Sequence, residues 1–196
     1  MPKAGLSKQT IVQTAAELAD KNGLNGVTIK EIARELGVRS PSLYNHINSL
    51  GDIVESITIY GWKQICNAMA MSAVGKSGDD AVRAQCYAFR DYSLAHPGVF
   101  EAMMWYSQYK SEEAMQATAE LLEINNMVLS AYNLYDEDLI HTTRMFRSFL
   151  QGFTSIENKG SFSDPVLIQK SFDFAVEILI KGLNTIEINS KPHNSS

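Results

Sequence analysis

The sequence is short of cysteine, clustered histidine, long apolar runs and strand patterning, and each shortage excludes something. It holds two cysteines, Cys66 and Cys86, which do not form a Cys-x-x-Cys pair. Two such thiols do not make the disulfide framework of a small secreted domain, and they read as free thiols of a reducing compartment. The four histidines (His46, His96, His141, His193) are scattered, and neither cysteine adjoins one. A metal site needs clustered ligands, so no metal is expected, and no other cofactor. No apolar run reaches transmembrane length, and Met1-Pro2-Lys3-Ala4-Gly5 opens without the apolar core of a signal sequence. The expectation is a soluble cytoplasmic protein. No stretch alternates apolar and polar residues with strand-like enrichment. Enzyme motifs are missing as well: there is no GxSxG and no HExxH. Gly75-Lys76-Ser77 imitates the end of a phosphate loop, but Ala70 occupies the position of its first glycine and a helical segment precedes it. No catalytic residue is expected, and the chain reads as a non-enzyme.

What is present is an ordinary globular composition, 45% apolar and 20% charged over 196 residues, enough to bury a sizeable core. The net charge of −5 is unevenly spread. Residues 1–50 carry six Lys or Arg against four acids, while the remainder carries eleven against eighteen. A basic head on an acidic body suggests that one end alone meets a polyanion.

The apolar spacing is helical throughout. A first helix spans Ser7, its N-cap, to Asn22, with Ile11, Ala15, Leu18 and Ala19 inward and Gly23 as the expected left-handed terminator. Thr28-Ile29-Lys30-Glu31 reads as a capping box opening a second helix, with Val27 and Ile32 as a hydrophobic staple, and Gly37 ends it. Ser40 suits an N-cap and Pro41 the first position of a third helix, in which Leu43 and Ile47 face inward. Ser49-Leu50-Gly51-Asp52 caps a long helix to about Val74. Further helices are expected over Asp79–Ala95, Val99–Tyr106, Glu112–Tyr132 and Asp136–Asn158, and from Asp164-Pro165 to Glu187. The fold class is all-α, with about nine helices: a three-helix head over residues 1–50, a larger helical domain over 51–188, and a disordered polar tail over 189–196.

Two helices joined by a tight turn at Gly37, the second short and preceded by Arg39, fit a helix-turn-helix. In that geometry the first helix offers its N-terminal N–H groups and the Thr28 hydroxyl to a phosphate. The second enters the major groove, where Arg39, Ser40, Ser42, Tyr44, Asn45 and His46 supply donors or rings to base edges and backbone. An ordinary pair of packed helices would show the same spacing. Residues 7–53, however, resemble the N-terminal domain of the tetracycline-repressor (TetR) family. The matching residues are Ala15-Ala16, Gly23, Thr28-Ile29-Lys30-Glu31-Ile32-Ala33 and Leu36-Gly37-Val38-Arg39-Ser40-Pro41-Ser42-Leu43-Tyr44-Asn45-His46-Ile47. The resemblance implies a DNA-binding transcriptional regulator with Thr28, Arg39, Tyr44 and His46 on the DNA face. Tyr44 would donate to a phosphate, and Arg39 or Ser42 would read bases. Leu50 stands where many members carry a phosphate-binding Lys.

One head meets one half-site of an inverted-repeat operator, so a homodimer is expected. Phe146, Phe149, Phe153, Phe172, Val176 and Leu179 on the last two helices are candidates for a four-helix interface, or for the chain's own core. The stretch Arg147–Phe162 and Ala95-His96-Pro97-Gly98 resemble the C-terminal domain called WHG that follows some TetR heads, although Gln151 replaces the expected His. The family's usual mode implies a repressor released by a small lipophilic effector. Candidates to line an effector pocket are Trp62, Met69, Phe89, Tyr92, Phe100, Met103, Met104, Trp105 and Met127, residue types that also fill plain cores. The alternative is a dimeric DNA-binding regulator with no ligand, controlled by a protein partner or by its expression level.

Overall fold

The computed structural model describes residues 6–104, 111–134, 136–164 and 166–189. The described residues form nine α-helices and one short 3₁₀ turn, with no strand among them. In order they are α1 (Lys8–Asn22), the turn Leu24–Gly26, α2 (Ile29–Leu36), α3 (Ser40–Leu43), α4 (Leu50–Ser72), α5 (Gly78–Ala95), α6 (Pro97–Met103), α7 (Glu112–Leu129), α8 (Asp136–Asn158) and α9 (Ile168–Asn189). They fall into two units: Met1–Gln64 with Ala95–Thr118, and Ile65–Leu94 with Ala119–Ser196. The expected division at residue 50 falls within the first unit. Most of the expected tail, and the end of the helix expected at Val99–Tyr106, lie outside the described residues.

In the first unit, α1 begins where a side chain can satisfy its free amides. Ser7 is extended, and its hydroxyl accepts from the Thr10 N–H at 3.1 Å. Ile11, Ala15, Leu18 and Ala19 are buried along one side as expected. Gly23 has positive φ (75°), but with ψ 163° it leaves the left-handed helical basin and leads into the 3₁₀ turn. Val27 and Ile32 are buried together at the start of α2. Thr28 caps α2 by accepting from the Glu31 N–H at 3.1 Å. The reciprocal half of the expected capping box is absent, because the Glu31 carboxylate pairs with Arg34 one turn on. Gly37 (φ 66°, ψ 32°) closes α2 in the left-handed region that favours glycine, and Val38 N–H donates back to the Ala33 carbonyl at 2.9 Å.

α3 is a single turn with Pro41 at its start. Arg39, not Ser40, takes the extended N-cap position, and no side chain caps the turn. Leu43 and Ile47 are buried, and both His46 and Ile47 donate to the Leu43 carbonyl. A complete reciprocal cap stands instead at α4. Asp52 N–H donates to the Ser49 hydroxyl at 3.1 Å and Asn48 N–H to the Asp52 carboxylate at 3.1 Å. The Ser49 hydroxyl and then Asn48 hold the Asp52 carboxyl below its usual range.

α6 is held by α1. The Asp20 carboxylate accepts from the Gly98 and Val99 N–H groups, both at 3.0 Å, and meets His96 Nδ1 at 2.8 Å. A β-carbon at Gly98 would fall 2.0 Å from the Ala19 carbonyl oxygen, so only glycine allows this approach. Thr58 on α4 donates to the Ala102 carbonyl at 3.0 Å.

The second unit is organised around a buried cation. Arg90 on α5, 6% exposed, donates to Glu157 on α8 at 2.8 and 2.6 Å and to Gln169 on α9 at 2.5 Å. Its guanidinium also lies 4.9 Å from the centre of the Phe172 ring. Beside it Tyr87 donates to Asp173 at 2.5 Å. Burial, reinforced by Asp173, pushes the Tyr87 phenol up to about 12. Phe149, Phe153 and Phe172 form one aromatic cluster, joined by Phe162. α9 starts later than expected because the Asp164 carboxylate accepts from Val166 N–H at 2.9 Å, a local turn that competes with helix.

Candidate nucleic-acid interface

The head presents the expected residues outward. Thr28, Arg39, Tyr44, Asn45 and His46 are exposed, and Ser40 and Ser42 are half-buried. Tyr44 is 55% exposed, far more than a phenol engaged in a core would be. Backbone geometry explains the display. Leu43 and Ile47 are spent on the core, so the intervening Tyr44, Asn45 and His46 turn to solvent. Among the described residues, the side chains of Arg39, Ser42, Tyr44, Asn45 and His46 make no hydrogen bond or ion pair with the rest of the chain. A segment of five polar side chains with no internal partner is suited to external acceptors, and phosphates and base edges are such acceptors. Lys30, also exposed, adds positive charge near the start of α2. Leu50, at the start of α4, is exposed and carries none.

The other expected site residues divide between the two units. Trp62 and Met103 are buried and Met104 half-buried in the first, and Phe100 is buried there as well. Met69 and Phe89 are buried, Tyr92 is half-buried and Met127 is exposed in the second. Trp105 lies outside the described residues. Phe146, Phe172 and Val176, expected at a partner interface, are already buried within the single chain, where the Phe172 ring packs on Arg90 and its neighbours. Phe149, Phe153 and Leu179 keep part of their surface. The tie from Asp20 to α6 was not expected from the sequence, where Ala95-His96-Pro97-Gly98 enters only through the resemblance to the WHG domain. Among the described residues no group of three or more His, Cys, Asp or Glu is placed to hold a metal ion.

Comparison with known proteins decides the family. Residues 11–57 match the family model described as bacterial regulatory proteins, tetR family, and residues 82–179 match the tetracyclin repressor-like C-terminal domain. An uncharacterized HTH-type transcriptional regulator of Bacillus subtilis, YobS, is 33% identical over 93% of this chain and 95% of its own. The chain belongs to the TetR family of DNA-binding transcriptional regulators. Solved structures agree on the fold. BioQ, crystallised with its double-stranded DNA operator, superposes with a TM-score of 0.67 at 22% identity, covering 92% of this chain and 99% of that one. A TetR variant from Acinetobacter baumannii in complex with minocycline gives 0.72 at 17% identity, covering 93% and 99%. In this TetR-family chain the matched N-terminal model spans most of α1, α2, α3 and the start of α4, and α5 to α9 lie wholly or partly within the matched C-terminal domain. A regulator family of this kind is not an enzyme class.

Proposed function

We propose that this TetR-family protein is a cytoplasmic homodimeric repressor. It occupies an inverted-repeat operator and is released by a small lipophilic effector. The observation that carries the DNA-reading part is the set of outward side chains without internal partners, Arg39, Ser42, Tyr44, Asn45 and His46. Arg39 and Ser42 read base edges, with Ser40 and Asn45 beside them; Tyr44, His46 and Thr28 hold phosphates. BioQ, of the same fold, was crystallised with a DNA operator, which supports the partner class. The minocycline complex of a TetR supports a ligand for the body. The reading is one of binding and release, with no turnover. Among the described residues no helix is long and apolar enough to cross a membrane.

Dimerisation is supported by apolar surface on the last two helices that the single chain leaves uncovered. Phe174 is 69% exposed, Ile156 and Ile178 are exposed with it, and so is Leu167 just before α9. Gly152 and Gly182 have open space where a β-carbon would stand, which admits a close helix. The interface proposed here uses these residues together with the free edges of Phe149, Phe153 and Leu179. It brings two heads about 34–36 Å apart, one turn of DNA.

The test is fluorescence-anisotropy titration against an operator selected from random DNA, at several salt concentrations. Arg39→Ala is expected to cost about 1–3 kcal/mol on the selected site and much less on random DNA. Tyr44→Phe is expected to weaken both alike, as loss of a phosphate contact does. Equal losses on both DNAs for Arg39→Ala would overturn its readout role. A wild-type protein with no salt-sensitive affinity for any DNA would overturn the whole reading.

A further inference from the structure

Of the twelve glycines in the sequence, two follow an asparagine: Asn22-Gly23 and Asn25-Gly26, side by side between α1 and α2. Such pairs are chemically labile, because a glycine brings its amide nitrogen to the asparagine Cγ with no β-carbon in the way. Both asparagines are exposed, so access to solvent does not separate them. The fold does, through the nitrogen that would attack. Gly26 N–H donates to the Gly23 carbonyl at 3.0 Å, closing the 3₁₀ turn, and is held there. Gly23 N–H donates to no backbone acceptor among the described residues. α1 therefore ends unlike α2, whose closing Gly37 N–H donates to the Ala33 and Arg34 carbonyls. A β-carbon on Gly23 would meet nothing within 4 Å, so the main chain has room to turn toward Asn22.

We propose that Asn22 is a site of spontaneous self-modification, at which the folded chain converts an asparagine into isoaspartate. The Gly23 amide gives its proton to solvent base, its nitrogen bonds to Asn22 Cγ, and Nδ2 leaves as ammonia. The product is a succinimide ring. Water then adds to one of the two ring carbonyls, and the bond from that carbon to nitrogen breaks. Opening at the former side-chain carbonyl gives aspartate. Opening at the main-chain carbonyl gives isoaspartate, with the chain rerouted through the side chain. Overall a water is consumed, an ammonia is released and nothing is oxidised or reduced. The position gives the product a consequence. Its new carboxylate stands at the C-terminal end of α1, where the helix dipole opposes negative charge. Gly26 already approaches so closely that a β-carbon there would stand 2.6 Å from Asn22 Cβ. Asp20, two residues back, holds the Gly98 and Val99 amides. A main chain lengthened by a methylene cannot keep both arrangements, so the 3₁₀ turn and the seat of α6 loosen.

Full-length protein is incubated in warm, mildly alkaline buffer beside a sample unfolded in urea. Both are digested and mapped by mass spectrometry, with fragmentation that separates isoaspartate from aspartate. In the folded chain, reaction at Asn22 should outrun that at Asn25 by about tenfold, the factor expected from one held amide. In urea neither nitrogen is held, and the two sites should react at similar rates. Native amide exchange should likewise be about tenfold faster at Gly23 than at Gly26. The isoaspartyl fraction, resolved by anion exchange, should unfold at a lower urea concentration than the parent. Asn22→Gln should pass through the same incubation with its midpoint unchanged. Equal rates at the two sites in the folded chain, or a faster Asn25, would overturn the proposal. So would an Asn22 that survives in the folded chain while the urea sample reacts, or an isoaspartyl fraction as stable as the parent. None of these readouts involves DNA, so they stand apart from the function proposed for the head.

Discussion

Replacing Arg90 by methionine tests whether the second unit is held by a buried charge pair. The guanidinium is 7% and the Glu157 side chain 10% exposed, and two nitrogens of the one meet two oxygens of the other at 2.8 and 2.6 Å. Methionine keeps the length and apolar stem of the side chain but strands the Glu157 carboxylate away from water. Removing one partner of such a pair costs about 3–5 kcal/mol. Loss of the contact with Phe172 adds about 0.5–2 kcal/mol for a guanidinium over a ring. The sum is a large share of the roughly 5–15 kcal/mol that holds a domain together. Urea unfolding followed by circular dichroism measures it, at one fixed protein concentration because association adds to apparent stability. The midpoint should fall by the equivalent of about 3.5–7 kcal/mol with little change in slope. Replacing both residues, Arg90→Met with Glu157→Met, should recover most of the loss, since an apolar pair strands no charge. A single-variant loss below about 1 kcal/mol, the level of an exposed pair, would refute the reasoning. So would a double variant no more stable than Arg90→Met.

Three further outcomes follow from the packing. Gly98→Ala places a β-carbon 2.0 Å from the Ala19 carbonyl oxygen, against backbone that cannot step aside, so α6 must shift. A loss of at least about 1–3 kcal/mol in thermal unfolding is expected, together with weaker DNA binding as α1 is displaced; an unchanged melting temperature would contradict it. The Tyr87 hydroxyl, and then Gln169, lower the Asp173 carboxyl from its ordinary value. A depressed carboxylate stabilises above its unfolded pKa of about 4 and loses that contribution as pH falls through the folded value. Tyr87→Phe should therefore flatten the stability-against-pH curve on its acid side, as chemical unfolding from pH 7 downward will show. At the alkaline end the sign reverses. The Tyr87 phenol, raised to about 12, stabilises fully below about pH 10 and loses that contribution as pH rises through its folded value. Burial pushes the Cys66 and Cys86 thiols up to about 12, with Glu120 adding to the shift at Cys66. Neither should react with a thiol reagent at neutral pH until the chain is unfolded, and rapid labelling of the native protein would contradict the burial.

The parts of the fold that could be read in the sequence are those decided within a few residues. Ser7 and Thr28 announce their helices because a short hydroxyl can reach an amide three positions on. Gly37 announces its end because the left-handed conformation excludes most other residues. The outward set from Arg39 to His46 was legible because Leu43 and Ile47 are the only apolar positions within and just after that turn. Competition among side chains was not legible, nor was long-range pairing. Arg34 draws Glu31 away from the cap of α2, and Asp164 delays α9 through its own side chain. Asp20 and Gly98 lie 78 positions apart in the chain, and no local pattern pairs them. Periodicity places Phe146, Phe172 and Val176 on apolar faces but does not distinguish the chain's own interior from a partner's surface. For these three the protomer's own packing takes the side chain. Apolar residues at helical spacing, Met69 and Phe89 among them, look alike in sequence whether they fill a core or border a cavity.

The N-cap side chain of α6, His96, makes no capping hydrogen bond to its first turn. The acceptor for the amides of Gly98 and Val99 belongs to α1, within the head that carries the segment proposed to read DNA. Deuterium uptake at those two amides thus becomes a built-in gauge of the head. Any event that loosens α1 deprives them of their carboxylate and speeds their exchange, so the state of the head can be followed at α6 with no probe placed on the segment proposed to face DNA.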